Sequence, residues 1–465
     1  FFFIFIFFIY YYYIQMANLY NSDITTRVLE PVNHSNNRTE FRLDNNSCYL
    51  SNLRLINVGG ITTVTANDQP NANFAQGPRA VIKQIELYSG NQLLDQIVSM
   101  NDWDIYKAIL SSNDQQQSAG SALRNTNWGF TSEGNAAWNA TPVNPEQQSY
   151  YTTARNYLVT SKNLPVQAKS SSDAWVSLQE VFAFLNSSIH LPTGILQDLR
   201  LVIIYNSVSG MSLVSDKNDV TAFTPTRPLL VADEVNPGPM FDSFVKSYRG
   251  VNYTPVEGDR VMIPAVPLAS LADTVAGNNL ESPSSHLLSG FTGKYVEKLV
   301  LMTQGTQPVT WENPVSRTHA GGRGANYNNS QTGGRGSSNQ WRQSVQWRVN
   351  GANKLPRTGL VGKNRTLAML ADNTPGYSNV PASNWVSLQD PTEVLNTDPS
   401  FGNYVCVPIE ETVSELQLSY IRYGLYGADA NTNTGTRQAL QANVFGLVRK
   451  SLMVRDNGSF VVMYA

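Results

Sequence analysis

The feature that most constrains this chain is a pentapeptide that occurs twice. Trp175-Val176-Ser177-Leu178-Gln179 recurs unchanged as Trp385-Val386-Ser387-Leu388-Gln389, 210 residues later, and an acid follows each copy, Glu180 and Asp390. In a chain of 465 residues that spacing is close to half the length. A repeat of this period governs architecture, because each copy must be a structural unit of the same kind. Three weaker echoes keep the same order along the chain. Val81–Ser89 resembles Tyr295–Thr303 at an offset of 214, Asp198–Ile203 resembles Glu415–Tyr420 at 217, and Pro228–Val231 sits against Phe445–Val448, again at 217. Two copies of one domain in tandem account for all four matches. One long domain with a chance match is the alternative.

The segments around these matches read as strands. Apolar and polar residues largely alternate from Cys48 to Val58, the period of two of a half-buried strand, and Gly59-Gly60 ends the run. Val81 to Ile97 reads as a hairpin around Ser89-Gly90-Asn91, since Gly and Asn tolerate positive φ. Leu199–Tyr205 and Arg227–Val235 are further strands, with Asn206–Thr226 a loop between them. Asn236-Pro237-Gly238-Pro239 is the natural boundary. Beyond it, Arg260–Val266, Tyr295–Met302, Val345–Val349, Leu416–Tyr423, Val444–Val448 and Phe460–Tyr464 read as strands, and Gln304-Gly305 as a turn. The best helix is Asn101–Leu110, capped by Asn101, with Trp103, Tyr106, Ile109 and Leu110 on one face. Ser111–Ser149 and Asn313–Gln340 are long polar excursions. Many strands, few helices and long loops predict a β-sandwich in each half.

Composition narrows the function. Charged residues are 15% of the chain, below the usual quarter, and the net charge is −2. A chain that condenses nucleic acid needs clustered Lys and Arg, which this one lacks, so sequence-specific nucleic-acid binding is not expected. Two cysteines, Cys48 and Cys406, lie in opposite halves and argue against a disulfide framework. Sequons at Asn33, Asn37 and Asn45 are the accidents of an Asn- and Ser-rich chain. Phe1 to Ile14 contains only Phe, Ile and Tyr, and is too short for the ~18–20 apolar residues that span a bilayer. Residues 1–15 read as AT-rich sequence translated upstream of a start at Met16; an apolar tail docking on a neighbour or a membrane is the alternative. The expected units are then 16–235 and 236–465.

No constellation for chemistry stands out, and no catalytic, cofactor-binding or metal-ligating residue is expected. His34, His190, His286 and His319 are scattered, with no second His or Cys at ligand spacing. Cys48 reads as a small apolar strand residue rather than a nucleophile. Gly321-Gly322-Arg323-Gly324 and Gly333-Gly334-Arg335-Gly336 have the look of an RGG segment, but two copies with the single Tyr327 between them suit a projecting loop better. Trp175 and Trp385 repeat between halves, which favours packing. A carbohydrate-binding or carbohydrate-active β-sandwich is the alternative function, with Trp128, Trp138 and Trp341 holding sugar.

The chain resembles the double jelly-roll major capsid proteins of the adenovirus-type lineage, most closely those of polinton-like viruses and virophages. The resemblance rests on Phe41–Asp44 and Ser51–Leu55, on Ile82–Gly90, and on Phe182–Leu185 with Leu191-Pro192. It continues through Leu199–Ile204, Arg227–Leu229 with Asp233-Glu234, and the closing strands Phe445–Lys450 and Phe460–Val462. It implies an all-β chain of two tandem eight-stranded jelly rolls. It further implies a homotrimeric, pseudo-hexameric capsomer tiling an icosahedral double-stranded DNA virus shell, and hence a location in the virion. The implied partners are further copies of itself, penton proteins and other minor capsid proteins. The residues carry no reading on an internal membrane.

Overall fold

The structure is a computed structural model that describes residues 23–43, 49–64, 72–74, 81–100, 103, 174–187, 191–207, 213–215, 220–236, 248–264, 281–305, 343–355, 360–361, 404–423 and 440–464. The first half runs β1 (Asp23–Leu29), β2 (Asn33–His34), β3 (Arg38–Leu43), β4 (Tyr49–Val58), β5 (Gly60–Val64), β6 (Ala72–Phe74), β7 (Ile82–Ser89) and β8 (Gln92–Val98). It continues with β9 (Ala174–Ser177), the short helices α1 (Leu178–Val181) and α2 (Ala183–Ser187), β10 (Leu191–Pro192), β11 (Leu199–Tyr205), β12 (Leu213–Ser215), β13 (Val220–Pro225) and β14 (Leu229–Asn236). The second half runs β15 (Gly250–Tyr253), β16 (Val256–Ile263), β17 (Glu281–Leu287), β18 (Lys294–Gly305), β19 (Gln343–Val349), β20 (Ala352–Asn353) and β21 (Leu360–Val361). It ends with β22 (Tyr404–Val413), β23 (Leu416–Tyr423), β24 (Leu440–Val448), β25 (Lys450–Val454) and β26 (Phe460–Tyr464).

Pairing sorts these strands into two sandwiches of the same plan. In the first, one sheet has the order β1-β14-β4-β10, with β9 also on β4, and faces a second of order β2-β3-β11-β7-β8. In the second, β16-β24-β18-β22 faces β17-β23-β19-β20, with β21 also on β19. Neighbouring strands are antiparallel and mostly far apart in sequence, as when β14 pairs both β1 and β4. This is a double jelly roll, and among the described residues it is all-β apart from short helical turns, as the sequence predicts. Among the described residues every ladder joins strands within 23–236 or within 250–464.

Alternation explains why these strands form. In β3, Thr39, Phe41 and Leu43 face inward, and in β11 Leu199, Leu201 and Ile203 meet them from the next strand. Inward residues of the first sandwich make one core around Phe41, Leu55, Ile85, Leu87 and Leu201. A second core gathers Leu299, Leu301, Trp347, Leu418, Tyr420 and Val444. The turn joining β7 to β8 is Gly90-Asn91, as expected. Gly90 takes φ 56°, a conformation open to it because it lacks a Cβ.

The structure corrects several sequence expectations. Gln304-Gly305 is no turn: both residues continue β18, paired with Gln441 and Leu440. Asn206–Thr226 is not merely a loop, because β12 and β13 lie within it, on β6 and β5. The Arg260–Val266 strand begins earlier, at Val256, and ends at Ile263. The echo at offset 214 joins non-equivalent strands. Val81–Ser89 is β7, whose counterpart by position in its sheet is β19, whereas Tyr295–Thr303 lies in β18, the counterpart of β4. The echo of Asp198–Ile203 with Glu415–Tyr420 does join equivalent strands, β11 and β23. Pro228–Val231 and Phe445–Val448 share equivalent strands but out of register, one at the start of β14 and the other at the end of β24. Of the helix expected at Asn101–Leu110 only Trp103 is among the described residues, and it is helical. Residues 1–15, Ser111–Ser149 and Asn313–Gln340 lie outside them.

Candidate functional site at the junction of the two halves

The two sandwiches meet through a sheet buried on both faces. In β24, Ala442, Val444 and Val448 point into the second core, while Phe445 joins the core of the first sandwich. In β18 Leu299 and Leu301 belong to the second core and Val300 to the first; in β22 Val407 and Cys406 divide in the same way. A sheet covered on both sides must be apolar on both, and Leu299-Val300-Leu301 reads so. Gly446 is required by this packing, since a Cβ there would lie 2.3 Å from the Phe291 ring.

The seam carries named contacts between the halves. Trp103 lies tilted on Phe445 with ring centroids 5.2 Å apart, and Phe184 of α2 meets Tyr253 of β15 edge-on at 5.1 Å. The Tyr253 hydroxyl donates to the Leu94 carbonyl. A three-stranded sheet, β15-β25-β26, completes the seam, with Leu452 buried and Phe460 and Val462 packed on the first core.

A charged cluster is enclosed there. Glu257 of β16 is 3% exposed and Lys450 of β25 is 2% exposed. Glu257 Oε1 lies 2.9 Å from Lys450 Nζ and accepts from the Tyr464 hydroxyl at 3.0 Å, while Oε2 pairs with Lys294 Nζ at 2.5 Å. Both ammonium groups lie 4.8 Å from the centroid of the Tyr464 ring, within cation–π range. Burial works to raise the Glu257 carboxyl, but Lys450 and Lys294 outweigh it and hold it below its ordinary value.

Asp95 of β8 is buried completely on the first-sandwich side. Its Oδ1 accepts from the Gln96 N–H at 2.7 Å and its Oδ2 from the Phe184 N–H at 2.9 Å. Burial nevertheless pushes the carboxyl up to about 7, against the pull of those bonds and of the Lys450 charge. Burial raises the Tyr253 hydroxyl, and the charge of Asp95 adds to the effect.

The residues singled out from sequence do not gather here. His34 and His286 are half-buried in different sandwiches, His34 bonding Thr39 at 2.7 Å. Burial lowers both imidazoles. Cys406 is buried at the seam, and Trp175 is half-buried with the Arg54 guanidinium 5.7 Å from its centroid. His190, His319, Cys48, Trp128, Trp138, Trp341, Trp385 and both Gly-Gly-Arg-Gly segments lie outside the described residues. Among the described residues no group of three metal-ligating side chains assembles, and no helix is long and apolar enough to cross a membrane. The Asp95–Glu257–Lys294–Lys450 cluster was missed. Its one sequence signal is an acid inside the apolar run Leu93-Leu94-Asp95-Gln96-Ile97.

The sequence matches no protein-family model and no curated protein. Solved structures do match. One is PBCV-1 VP54 fitted into a cryo-EM reconstruction of the virophage Sputnik, with a TM-score of 0.53 at 14% identity over 96% of this chain and 97% of that one. Another is the structure of the Sputnik virophage by cryo-EM, with a TM-score of 0.53 at 11% identity over 95% of this chain and 88% of that one. With its two sandwiches in tandem, the chain has the fold of the double jelly-roll capsid proteins.

Proposed function

We propose that this chain is a viral major capsid protein: a homotrimeric, pseudo-hexameric capsomer that tiles an icosahedral double-stranded DNA virus shell, without catalysis. The likeness to PBCV-1 VP54 and the Sputnik virophage along nearly the whole chain supports a capsid role. The observation that carries the trimer is the asymmetry of the internal junction. The first sandwich contributes its β8 edge, and the second contributes β16 and β24. Gly258 of β16 sits so close that a Cβ there would be 3.4 Å from Val98 Cβ. A contact between unlike surfaces of like units is heterologous, and repeating it generates a ring when the rotation closes. The second sandwich of one copy then packs on β1 of the next, the counterpart of β16, and three chains supply six sandwiches.

In this reading the units are 16–235 and 236–465. The partners are further copies of the chain, with penton and other minor capsid proteins at specialised positions, and the place of work is the virion. Light scattering on the purified chain tests it, with negative-stain images of the same fraction. The expected mass is about three times 51.4 kDa, with a six-lobed outline. A well-folded monomer overturns the trimer and returns attention to sugar binding.

A further inference from the structure

Beside the ion cluster the seam opens into a cleft of about 340 Å³ to which both sandwiches contribute: Lys83 and Ser99 from the first, Asp259, Arg260 and Asn443 from the second. Its volume is at the small end of ligand pockets, roughly 300–1,000 Å³. Arg260 reaches across the seam, donating from Nη2 to Ser99 Oγ at 2.8 Å and from Nε to Asn443 Oδ1 at 3.1 Å. Both acceptors are neutral. Among the described residues Asp259 is the one carboxylate on the wall, and its oxygens already accept backbone N–H groups, from Arg260 at 2.8 Å and from Gly290 at 3.0 Å.

Among the described residues neither Lys83 nor Arg260 forms an ion pair, whereas Arg27, Arg42, Arg227, Lys294, Arg449 and Lys450 all do. Two cations in one recess, one from each half, leave an excess of positive charge with donors to spare. Among the described residues neither the second guanidinium nitrogen, Nη1, nor the Lys83 ammonium has a hydrogen-bond partner.

We propose that this cleft binds a small oxyanion of the inorganic phosphate class, bridging Lys83 of the first sandwich and Arg260 of the second. A phosphate carries between one and two negative charges near neutrality and several acceptor oxygens, which matches two cations better than a single carboxylate does. Arg supplies a planar fork and Lys a point charge, the usual division of labour at phosphate sites. The anion ties the two sandwiches together, and its binding is independent of how copies of the chain assemble.

The test is calorimetric titration of the full chain with sodium phosphate, with thermal melts in phosphate and in chloride at matched ionic strength. Saturable binding over the millimolar range is expected, with a rise in melting midpoint that chloride does not give. Lys83→Ala and Arg260→Ala should each weaken binding about tenfold or more, the size of a lost charge-assisted bond. Lys83→Arg should retain it, and Arg455→Ala, which removes an exposed cation elsewhere, should leave it unchanged. Phosphate also stabilises proteins generally by exclusion from their surface, but that effect does not depend on Lys83. Absence of saturable binding, or a phosphate response in Lys83→Ala equal to that of the unaltered chain, overturns the proposal. If Arg260→Ala fails to fold for want of its Ser99 contact, Lys83→Ala and Lys83→Gln carry the test, because Lys83 bonds no described residue.

Discussion

Two sheets of the same strand order, β1-β14-β4-β10 and β16-β24-β18-β22, meet opposite fates. The second is covered on both faces over its middle, and its edge strand β16, though Met262 near its end is 48% exposed, holds Glu257 at 3% exposure between two lysines. The first leaves its edge strand open. On β1 Ile24 and Val28 are each 57% exposed, and the ion pair across to β14, Arg27 with Glu234 at 2.6 Å, is partly in water. The difference teaches that a strand's chemistry follows what is laid over it rather than its place in the topology. A covered edge must satisfy every charge it encloses. An open edge can carry loosely held charges and bare β-branched side chains.

Removing one acid from each sheet tests that contrast most strongly. Glu257→Ala strips its carboxylate from the buried Lys450 ammonium, from the Tyr464 hydroxyl and from the part-buried Lys294 ammonium, which keeps its bond to the Gly290 carbonyl, and should destabilise the chain by about 3–5 kcal/mol in urea unfolding. Glu234→Ala removes the partner of a half-exposed arginine and should cost about 1 kcal/mol or less. Similar losses for the two would break the comparison.

The covered side should also answer to pH. The Asp95 carboxyl rises from 3.8 to about 7 in the folded chain, so the folded state holds that proton more tightly than the unfolded one. Stability from this group is full below pH 3.8 and falls as pH rises to about 7, by up to about 4 kcal/mol at ~1.36 kcal/mol per unit. Glu257 works the other way: its lowered carboxyl contributes stability above 4.5, which is lost as acid protonates it. Urea midpoints should therefore peak in mild acid and decline toward neutrality. Asp95→Asn should flatten the decline, while lowering the whole curve because an amide offers one acceptor to the two N–H groups of Gln96 and Phe184.

How much of this was legible in the sequence depends on how local the cause was. β11 and β23 have the bounds that the sequence predicts, because their inward residues recur along the strand at a period of two, and β26 has them too as a short apolar run without alternation. β17, Glu281-Ser-Pro-Ser-Ser-His-Leu, showed nothing: among the described residues it pairs β23 alone, and Pro283, Ser285 and Leu287 are exposed. The tandem plan was readable from the β11–β23 echo, while the second copy of the pentapeptide, Trp385–Gln389, lies outside the described residues. The β7–β18 echo misled because any two apolar strands with a period of two resemble each other at some register. The seam was out of reach. Asp95 looks like the polar phase of an ordinary strand until Tyr253, Glu257 and Lys450 close over it, and those residues come from the other half of the chain.

A smaller effect sharpens the packing side of the comparison. Gly446→Ala places a methyl group 2.3 Å from the Phe291 ring in the doubly covered sheet, and should cost about 1–3 kcal/mol in thermal unfolding. The ring can give way only by displacing its neighbours in the second core. A cost near zero would mean that the covered sheet is looser than its burial implies.

The smallest effect on stability should come from the open edge, and there the informative reading is assembly. Ile24 and Val28 lie four residues apart on the same side of β1, which among the described residues pairs β14 alone. Changing both to Ser removes little that is buried in the single chain, so its urea midpoint should move by about 0.5 kcal/mol or less. In a ring that repeats the internal junction, however, β1 receives the neighbour's second sandwich, and two polar side chains would replace apolar ones in that contact. The double variant should then remain folded but run by light scattering at about 51.4 kDa, the mass of one chain. A trimer that persists with Ser at both positions would show that copies meet elsewhere and that β1 is not the equivalent of β16. A trimer lost together with the fold would show that β1 is held within the chain more firmly than its exposure implies. Only loss of the trimer with the fold intact supports the equivalence, because it separates what covers β16 within one chain from what covers β1 between chains.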